Sequence, residues 1–438
     1  MSMDVFDRRE SDIFDRRESV VRSYCRNFPR VFHRAEGTEI WDENGNRYLD
    51  FLSGAGALNY GHCNRKIVDR VIQYLRSNGV VHSLDLHTTA KRAFLEKLED
   101  VVLTPRGLDH HVQFTGPTGT NAIEAAIKLA RKVTGRTSLI AFTGAFHGMS
   151  LGALSATASR FKRAGAGLPL SGVARLPFDK YFGSSLDSAA LVARLLDDPG
   201  GGIDAPCAIL LETIQAEGGL NVASVAWLRR IAEIANAHGA LLIVDEIQTG
   251  CGRTGPFFSF ERAGVTPDII CVSKSIGGIG MPMSMVLMRP ELDCWQPGEH
   301  NGTFRGNNLA FVAGEAALAL WEDPAFIESA RAAASALRRG LQDLARWSRA
   351  DVRGEGLLLG LAWKSPLVAP AVSAAAFHRG LILETCGAQS EVLKLLPPLT
   401  VSLAEIEEGL DILRSSIADA ISSGEICRAL DGPLAVVS

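Results

Sequence analysis

The sequence predicts an α/β protein whose large domain holds a mostly parallel central sheet and whose smaller domain is α+β. Short apolar runs flanked by helical periodicity support this prediction, because such runs are typical of parallel strands buried on both faces. They occupy residues 138–142, 207–211, 241–244 and 269–273. Polar residues follow each run, and ligands of open α/β sheets bind outside the carboxyl ends of the strands. These residues are Glu212, Asp245, Lys274 and the segment Phe146-His147-Gly148.

The order of patterns divides the chain into three parts. Residues 1–75 contain a charged arm and the first part of the small domain, where Asn44-Gly45 predicts the turn of a β-hairpin. Residues 76–324 alternate strand and helix patterns and form the large domain. One of its helices is predicted to begin at Ser224 and to end before Gly239. Residues 325–438 start with an alanine-rich helix, continue with strand patterns at 357–363 and 392–396, and complete the small domain.

Composition and charge exclude some partners and favour one compartment. The 438 residues include 45 basic and 49 acidic side chains, so the net charge of −4 offers no positive field for nucleic acid. The eight cysteines show no paired spacing, which is typical of reduced thiols in a cytoplasmic protein. No apolar run reaches the length of a membrane span, and the N-terminus lacks the pattern of an export signal. We expect neither a membrane partner nor a bound metal.

A short segment near the N-terminus occurs twice. Residues 6–11, Phe-Asp-Arg-Arg-Glu-Ser, recur as residues 14–19. Charged terminal segments of this kind contribute little to a core, so we expect a dispensable and mobile arm.

Lys274 and Asp245 are the two residues that point most directly to a cofactor. Lys274 follows a buried strand and precedes a glycine-rich stretch that lets the backbone pass close to a bulky ligand. A lysine in such a place can form an imine with an aldehyde, although a lone lysine is more often a surface residue. Asp245 follows four apolar residues, where a carboxylate needs a cation or serves as a helix cap. A pyridinium nitrogen is such a cation, so the pair predicts pyridoxal phosphate.

Further residues can hold the rest of that cofactor. The loop 115–121 supplies hydroxyl and backbone N–H groups just before a helix, and helix N-termini bind anions. Gly119 and Thr120 are therefore our predicted phosphate ligands. Phe146 is placed to lie flat on the pyridine ring, and Gln248, one turn beyond Asp245, to reach its phenolic oxygen. The alternative for Phe146 is an ordinary core residue, and for the loop an ordinary helix cap.

Several motifs together resemble the class III (ω-amino) pyridoxal-phosphate aminotransferases. They lie at 119–126, 146–148, 212–219, 245–250 and 302–304, with Lys274 twenty-nine residues after Asp245. Stretches at 21–29, 113–120, 250–260 and 300–308 are similar to the diaminobutyrate–2-oxoglutarate aminotransferases of ectoine-type pathways. The resemblance covers residues 35 to 412.

The resemblance implies the fold-type I architecture, in which two subunits of a homodimer build each active site. It implies that Lys274 carries the cofactor and moves the proton, while Asp245 pairs with the pyridine nitrogen. Phe146 would stack on the ring and Gln248 would reach its phenolic oxygen. Gly119 and Thr120 would hold the phosphate, with Thr303 reaching it from the second subunit. Glu212 and Glu217 would lie near the substrate.

Three positions depart from the wider class. Met149 stands where many members carry an arginine for a substrate carboxylate, and Lys394 replaces an arginine that alternates with a glutamate partner. A lysine attracts a carboxylate without the two-pronged geometry of guanidinium. Asn121 replaces the usual glutamate of the phosphate loop. The first two departures recur in the diaminobutyrate group and favour it.

The resemblance implies transfer of the 4-amino group between L-2,4-diaminobutyrate and 2-oxoglutarate, with aspartate 4-semialdehyde and glutamate as products. The pathway would be ectoine, siderophore or antibiotic synthesis. A class III enzyme for another diamine or ω-amino acid, such as ornithine, 4-aminobutyrate or a β-amino acid, is the alternative. A nucleotide-binding oxidoreductase is a remote one, because neither glycine-rich loop shows a strand, G-x-G-x-x-G and a following acidic residue.

Overall fold

The computed structural model describes residues 11–183 and 185–422. The strands are β1 Phe32–Glu36, β2 Glu39–Asp42, β3 Arg47–Asp50, β4 His111–Gly116, β5 Leu139–Phe142, β6 Val173–Leu176, β7 Ala208–Leu211, β8 Ile214–Gln215, β9 Asn221–Val222, β10 Leu241–Asp245, β11 Ile269–Val272, β12 Ser284–Met288, β13 Asp351–Glu355, β14 Leu358–Ala362, β15 Leu381–Ile382, β16 Glu384–Cys386 and β17 Val392–Leu395. The helices are α1 Ser11–Arg17, α2 Tyr24–Asn27, α3 Ser53–Gly56, α4 Arg65–Arg76, α5 Thr89–Leu98, α6 Gly119–Thr134, α7 Leu151–Ala156, α8 Arg160–Arg163, α9 Ser188–Asp197, α10 Val225–Ala237, α11 Asn308–Leu318, α12 Pro324–Ser348, α13 Val368–His378 and α14 Leu403–Ser422.

A seven-stranded sheet in the order β4-β12-β11-β10-β7-β5-β6 forms the centre of the molecule. Strand β12 runs antiparallel to both of its neighbours, and the other strands are parallel to one another. The four apolar runs of the sequence form β5, β7, β10 and β11, so the mostly parallel sheet is confirmed.

Both faces of this sheet are buried. Alternate residues along a strand, such as Leu242 and Val244 of β10, belong to one apolar core, whereas Ile243 belongs to the core on the opposite face. Side chains of a strand point to the two faces in turn, so continuous apolar runs are the expected pattern of a doubly covered sheet. Helix α6 packs on one face, and helices α10 and α11 contribute to the core on the other.

The C-terminal part of the chain builds a second core. Helices α12, α13 and α14 pack against the antiparallel sheet β13-β14-β17-β16, and Leu49 and Phe51 from the N-terminal part join them. A separate sheet, β1-β2-β3-β15, contains the hairpin predicted around Asn44-Gly45. The predicted divisions of the chain at residues 75 and 325 stay predictions.

Two helices show what the sequence pattern predicts and what it misses. Helix α10 begins after Ser224, whose hydroxyl accepts a hydrogen bond from Trp227 N, as predicted. Helix α4 is an element that the sequence pattern did not indicate, and its Ile67 and Val71 are buried in the core of the large sheet.

The first copy of the repeated segment falls on residues 6–11 and lies almost wholly outside the described residues, so its mobility stays a prediction. No helix within residues 11–183 and 185–422 combines the length and the apolarity of a membrane span. Within the same ranges, the structure has no cluster of His, Cys, Asp or Glu suited to a metal ion.

Candidate active site

A cavity of about 260 Å³ opens at the carboxyl ends of the central strands. Eight of the predicted catalytic, cofactor and substrate residues line it: Gly119, Thr120, Phe146, Glu212, Glu217, Asp245, Gln248 and Lys274. They come from the ends of β5, β7, β10 and β11 and from the start of α6. The parallel sheet therefore brings side chains that are distant in sequence to one rim.

Lys274 enters the cavity from a strained backbone position. It follows β11 with φ +56°, a left-handed conformation that is unfavourable for a side chain other than glycine. Its Nζ donates a hydrogen bond to the Ala55 carbonyl at 2.9 Å. Burial lowers the pKa of Lys274 to about 8, so a substantial fraction of the amine is neutral near physiological pH. A neutral amine is the form that attacks an aldehyde.

Asp245 lies at the end of β10 and is almost fully buried. Its Oδ2 is 2.8 Å from His147 Nδ1, and its Oδ1 accepts a hydrogen bond from Ile247 N at 3.0 Å. Burial opposes protonation of His147, but the Asp245 carboxylate raises the pKa of the imidazole. His147 Nε2 is buried without a hydrogen-bond partner among the described residues. The sequence pattern assigned no role to His147, which here orients the carboxylate.

The N-terminus of α6 forms the opposite end of the cavity. Gly119 and Thr120 are its first two residues, and the Thr120 hydroxyl lies 2.7 Å from Ser150 Oγ. A Cβ atom on Gly119 would lie 2.8 Å from Ile247 Cγ2, so a larger residue there would force α6 or Ile247 to move. Asn121 Oδ1 accepts hydrogen bonds from Thr118 N at 3.2 Å and Thr118 Oγ1 at 2.9 Å. The asparagine thereby fixes the loop that precedes the helix.

Phe146 and Glu212 form a wall of the cavity. Glu212 Oε1 accepts a hydrogen bond from Phe146 N at 3.0 Å, and its Oε2 accepts one from Ala216 N at 3.3 Å. Burial raises the pKa of Glu212 to about 7. Lys162 Nζ lies 4.1 Å from the centroid of the Phe146 ring, within cation–π range. Glu212 therefore holds the backbone of Phe146 as well as lining the cavity.

Gln248 and Glu217 connect the cavity to Lys394. Gln248 Nε2 donates to the Ala55 carbonyl at 3.0 Å and to Glu217 Oε1 at 3.3 Å. Lys394 Nζ donates to the same Glu217 oxygen at 2.6 Å. The lysine thus meets a glutamate, as the wider class would predict for an arginine at this position.

Thr303 is the predicted cofactor residue that does not line the cavity. It lies in an exposed turn before α11. Its predicted contact with the cofactor of a second subunit stays a prediction.

Two further contributors were not found from the sequence. The Ala55 carbonyl, which accepts from both Lys274 and Gln248, is presented by a left-handed turn at residues 53–56. Backbone acceptors leave no trace in residue type. Glu384 lies 2.9 Å from Lys394 Nζ. It follows the apolar residues 381–383, the same signal that identified Glu212 and Asp245, and could have been found in that way.

The residues of the cavity fit pyridoxal phosphate. The cavity has an amine at Lys274, a buried carboxylate at Asp245, an aromatic wall at Phe146 and a helix N-terminus at Gly119. An aldehyde, a pyridine nitrogen, an aromatic face and a phosphate are the four groups of this cofactor that such residues recognise.

Comparison with known proteins gives a consistent result. A model of the family described as aminotransferase class-III matches residues 21–417. A diaminobutyrate–2-oxoglutarate transaminase of Halalkalibacterium halodurans is 50% identical over 427 residues, which cover 97% of this chain and 98% of that protein. One from Nocardia farcinica is 52% identical over 406 residues, covering 92% of this chain and 93% of that protein.

Among solved structures, the ornithine aminotransferase of Toxoplasma gondii superimposes with a TM-score of 0.80. It is 26% identical in sequence, and the match covers 93% of this chain and 94% of that one. The fold-type I α/β architecture is thus confirmed, and so is a cofactor of the pyridoxal phosphate type. The chain belongs to the class-III aminotransferases and is a pyridoxal-phosphate-dependent enzyme.

Proposed function

We propose that this enzyme transfers the 4-amino group of L-2,4-diaminobutyrate to 2-oxoglutarate and, in reverse, aminates aspartate 4-semialdehyde with glutamate. The identity of about one half to diaminobutyrate–2-oxoglutarate transaminases over nearly the whole chain supports this substrate pair. One observation carries the chemistry: the Lys274 amine and the Asp245 carboxylate line the same buried cavity.

The chain's residues have separate tasks in this proposal. Bound pyridoxal phosphate supplies an acceptor for the electrons of the breaking C–H bond. Lys274 carries the cofactor and moves the proton from substrate C4. Asp245, oriented by His147, balances a positive charge on the ring nitrogen. Gln248 reaches the phenolic oxygen, and Phe146 covers the ring and excludes water.

Gly119 and Thr120 hold the phosphate through the N-terminus of α6, and Thr303 of a second copy completes that site. The enzyme is accordingly a homodimer with shared sites. The enzyme acts in the cytoplasm. The seven described cysteines are free thiols, which supports a reducing compartment.

A panel of amino donors tests the substrate assignment. Purified enzyme is supplied with 2-oxoglutarate and with L-2,4-diaminobutyrate, ornithine, 4-aminobutyrate or β-alanine, and the aldehyde product is trapped. We expect the highest kcat/KM with diaminobutyrate. Better turnover of ornithine, 4-aminobutyrate or β-alanine would replace the proposed substrate with the alternative one.

A further inference from the structure

Lys394 is enclosed by two carboxylates. Its side chain is fully buried, and its Nζ lies 2.6 Å from Glu217 Oε1 and 2.9 Å from Glu384 Oε1. Strands β16 and β17 are antiparallel, and their register places Glu384 directly opposite Lys394. Side chains opposed in this way share one face of the sheet. The contact is therefore fixed by backbone pairing.

The three side chains do not balance in charge. Two carboxylates and one ammonium leave one negative charge, and the other amine that acts on Glu217, Lys274, is partly neutral because burial lowers its pKa to about 8. Glu384 is 6% exposed, and its Oε1 is in contact with the Lys394 ammonium. Burial and the Glu217 carboxylate raise the pKa of Glu384, the direction expected where positive charge is insufficient. A buried anion of this kind is stabilised when a further cation arrives.

This excess charge reaches the reacting centre. Glu217 lines the cavity with Lys274, and the charges of Glu217, Lys394 and Glu384 all act on the Lys274 amine, the two carboxylates against the one ammonium. Lys394 is held from two sides, so movement of Glu217 alone would still leave it paired with Glu384. The group therefore offers a substrate a site for a cation.

We propose that Glu384 selects an amino donor with a second ammonium group, and that the triad Glu217, Lys394 and Glu384 holds the α-ammonium of the diamine. This inference rests on the proposed function and names the residue that gives the donor specificity. L-2,4-Diaminobutyrate and 4-aminobutyrate differ only in the α-ammonium, so the two donors form a matched pair for the test.

The test compares the two donors on wild type and Glu384→Gln. Each donor is mixed with the cofactor-loaded enzyme, and the single-turnover absorbance change is followed, so that slow donors are still measured. The measured quantity is the rate with diaminobutyrate divided by the rate with 4-aminobutyrate. Removal of the excess charge is expected to lower this ratio at least about tenfold. Glu384→Leu, which is neutral and apolar, should shift the ratio in the same direction and serves if Glu384→Gln folds poorly. Glu407→Gln, on the exposed face of α14, should keep the wild-type ratio.

Each outcome has one meaning. An unchanged ratio in both Glu384 variants, or an equal loss with both donors, overturns the role of Glu384. Wild type that prefers 4-aminobutyrate would instead refute the proposed diaminobutyrate function. The glutamate half-reaction, measured in parallel, should not slow in Glu384→Gln, because glutamate has no second ammonium group for the triad to hold.

Discussion

His147 Nδ1 and Asp245 Oδ2 are 2.8 Å apart, and both side chains are buried at the end of strand β10. The imidazole fixes the carboxylate in one orientation, and Ile247 N holds its other oxygen. A charge fixed in advance, out of water, stabilises a developing opposite charge more strongly than a mobile one. In the proposed function, this pair stabilises the charge on the cofactor ring, while Lys274 forms the covalent bond to the cofactor.

Replacement of Asp245 by asparagine should remove that charge while preserving shape. We expect the rates of both half-reactions to fall on the order of 100- to 1,000-fold, the range for loss of one preorganised electrostatic partner. Stopped-flow absorbance of the cofactor measures them. A fall in rate below about fivefold would show that Asp245 does not face the ring nitrogen.

The pKa of Lys274 predicts a pH dependence. Burial lowers this pKa to about 8, and only the neutral amine attacks an aldehyde. The rate at which the apoenzyme binds pyridoxal phosphate covalently should therefore rise with pH and level off above about 8. An inflection near 10.4, the value of an exposed lysine, would contradict the burial of this amine.

Glu246 predicts a pH dependence of stability. Its carboxylate accepts hydrogen bonds from Thr249 Oγ1 at 2.7 Å and Ser259 Oγ at 2.6 Å, and burial raises its pKa to about 7. The folded state thus binds this proton more tightly than the unfolded state. The resulting stability is fully present below about pH 4.5 and is lost as the pH rises to about 7.

The Glu246→Gln variant has no carboxyl group at this position, so its stability should not fall over this pH range in the way that the wild type's does. Between pH 4.5 and 7.5 it should gain on the order of 2 to 3 kcal/mol in free energy of unfolding relative to wild type. Urea unfolding of the apoenzymes at the two pH values measures the difference. Glu407→Gln is the exposed control and should show no such trend. An equal difference between wild type and Glu246→Gln at both pH values would mean that Glu246 titrates normally.

Gly119→Ala tests the phosphate end of the cavity. The new Cβ would lie 2.8 Å from Ile247 Cγ2, so either α6 or Ile247 must move. We expect the Kd of pyridoxal phosphate to rise at least about tenfold, a loss of about 1.4 kcal/mol. The double variant Gly119→Ala with Ile247→Ala removes the clash and should recover part of the affinity. No loss in the single variant would move the phosphate away from this helix terminus.

Site residues at the ends of buried strands could be predicted from the sequence. The runs before Glu212, Asp245 and Lys274 are apolar because both faces of their strands are covered, and a polar residue directly after such a run must lie at the sheet rim. The same reasoning would have reached Glu384.

Other contributors depend on contacts that no local pattern records. Ala55 offers a backbone carbonyl from a left-handed turn, and Lys274 is more than two hundred residues away in sequence. The pairing of His147 with Asp245 joins the ends of two different strands. Such contacts follow from the packing of the whole sheet, which periodicity alone does not specify.

The position of the covalent bond to the cofactor is the most direct measure of the central claim. The holoenzyme is reduced with borohydride, digested, and analysed by mass spectrometry of its peptides. We expect the reduced pyridoxyl phosphate adduct on the peptide that contains Lys274, and none after Lys274→Ala. An adduct on Lys162 or Lys394 in place of Lys274, or no adduct in the wild-type enzyme, would contradict the account.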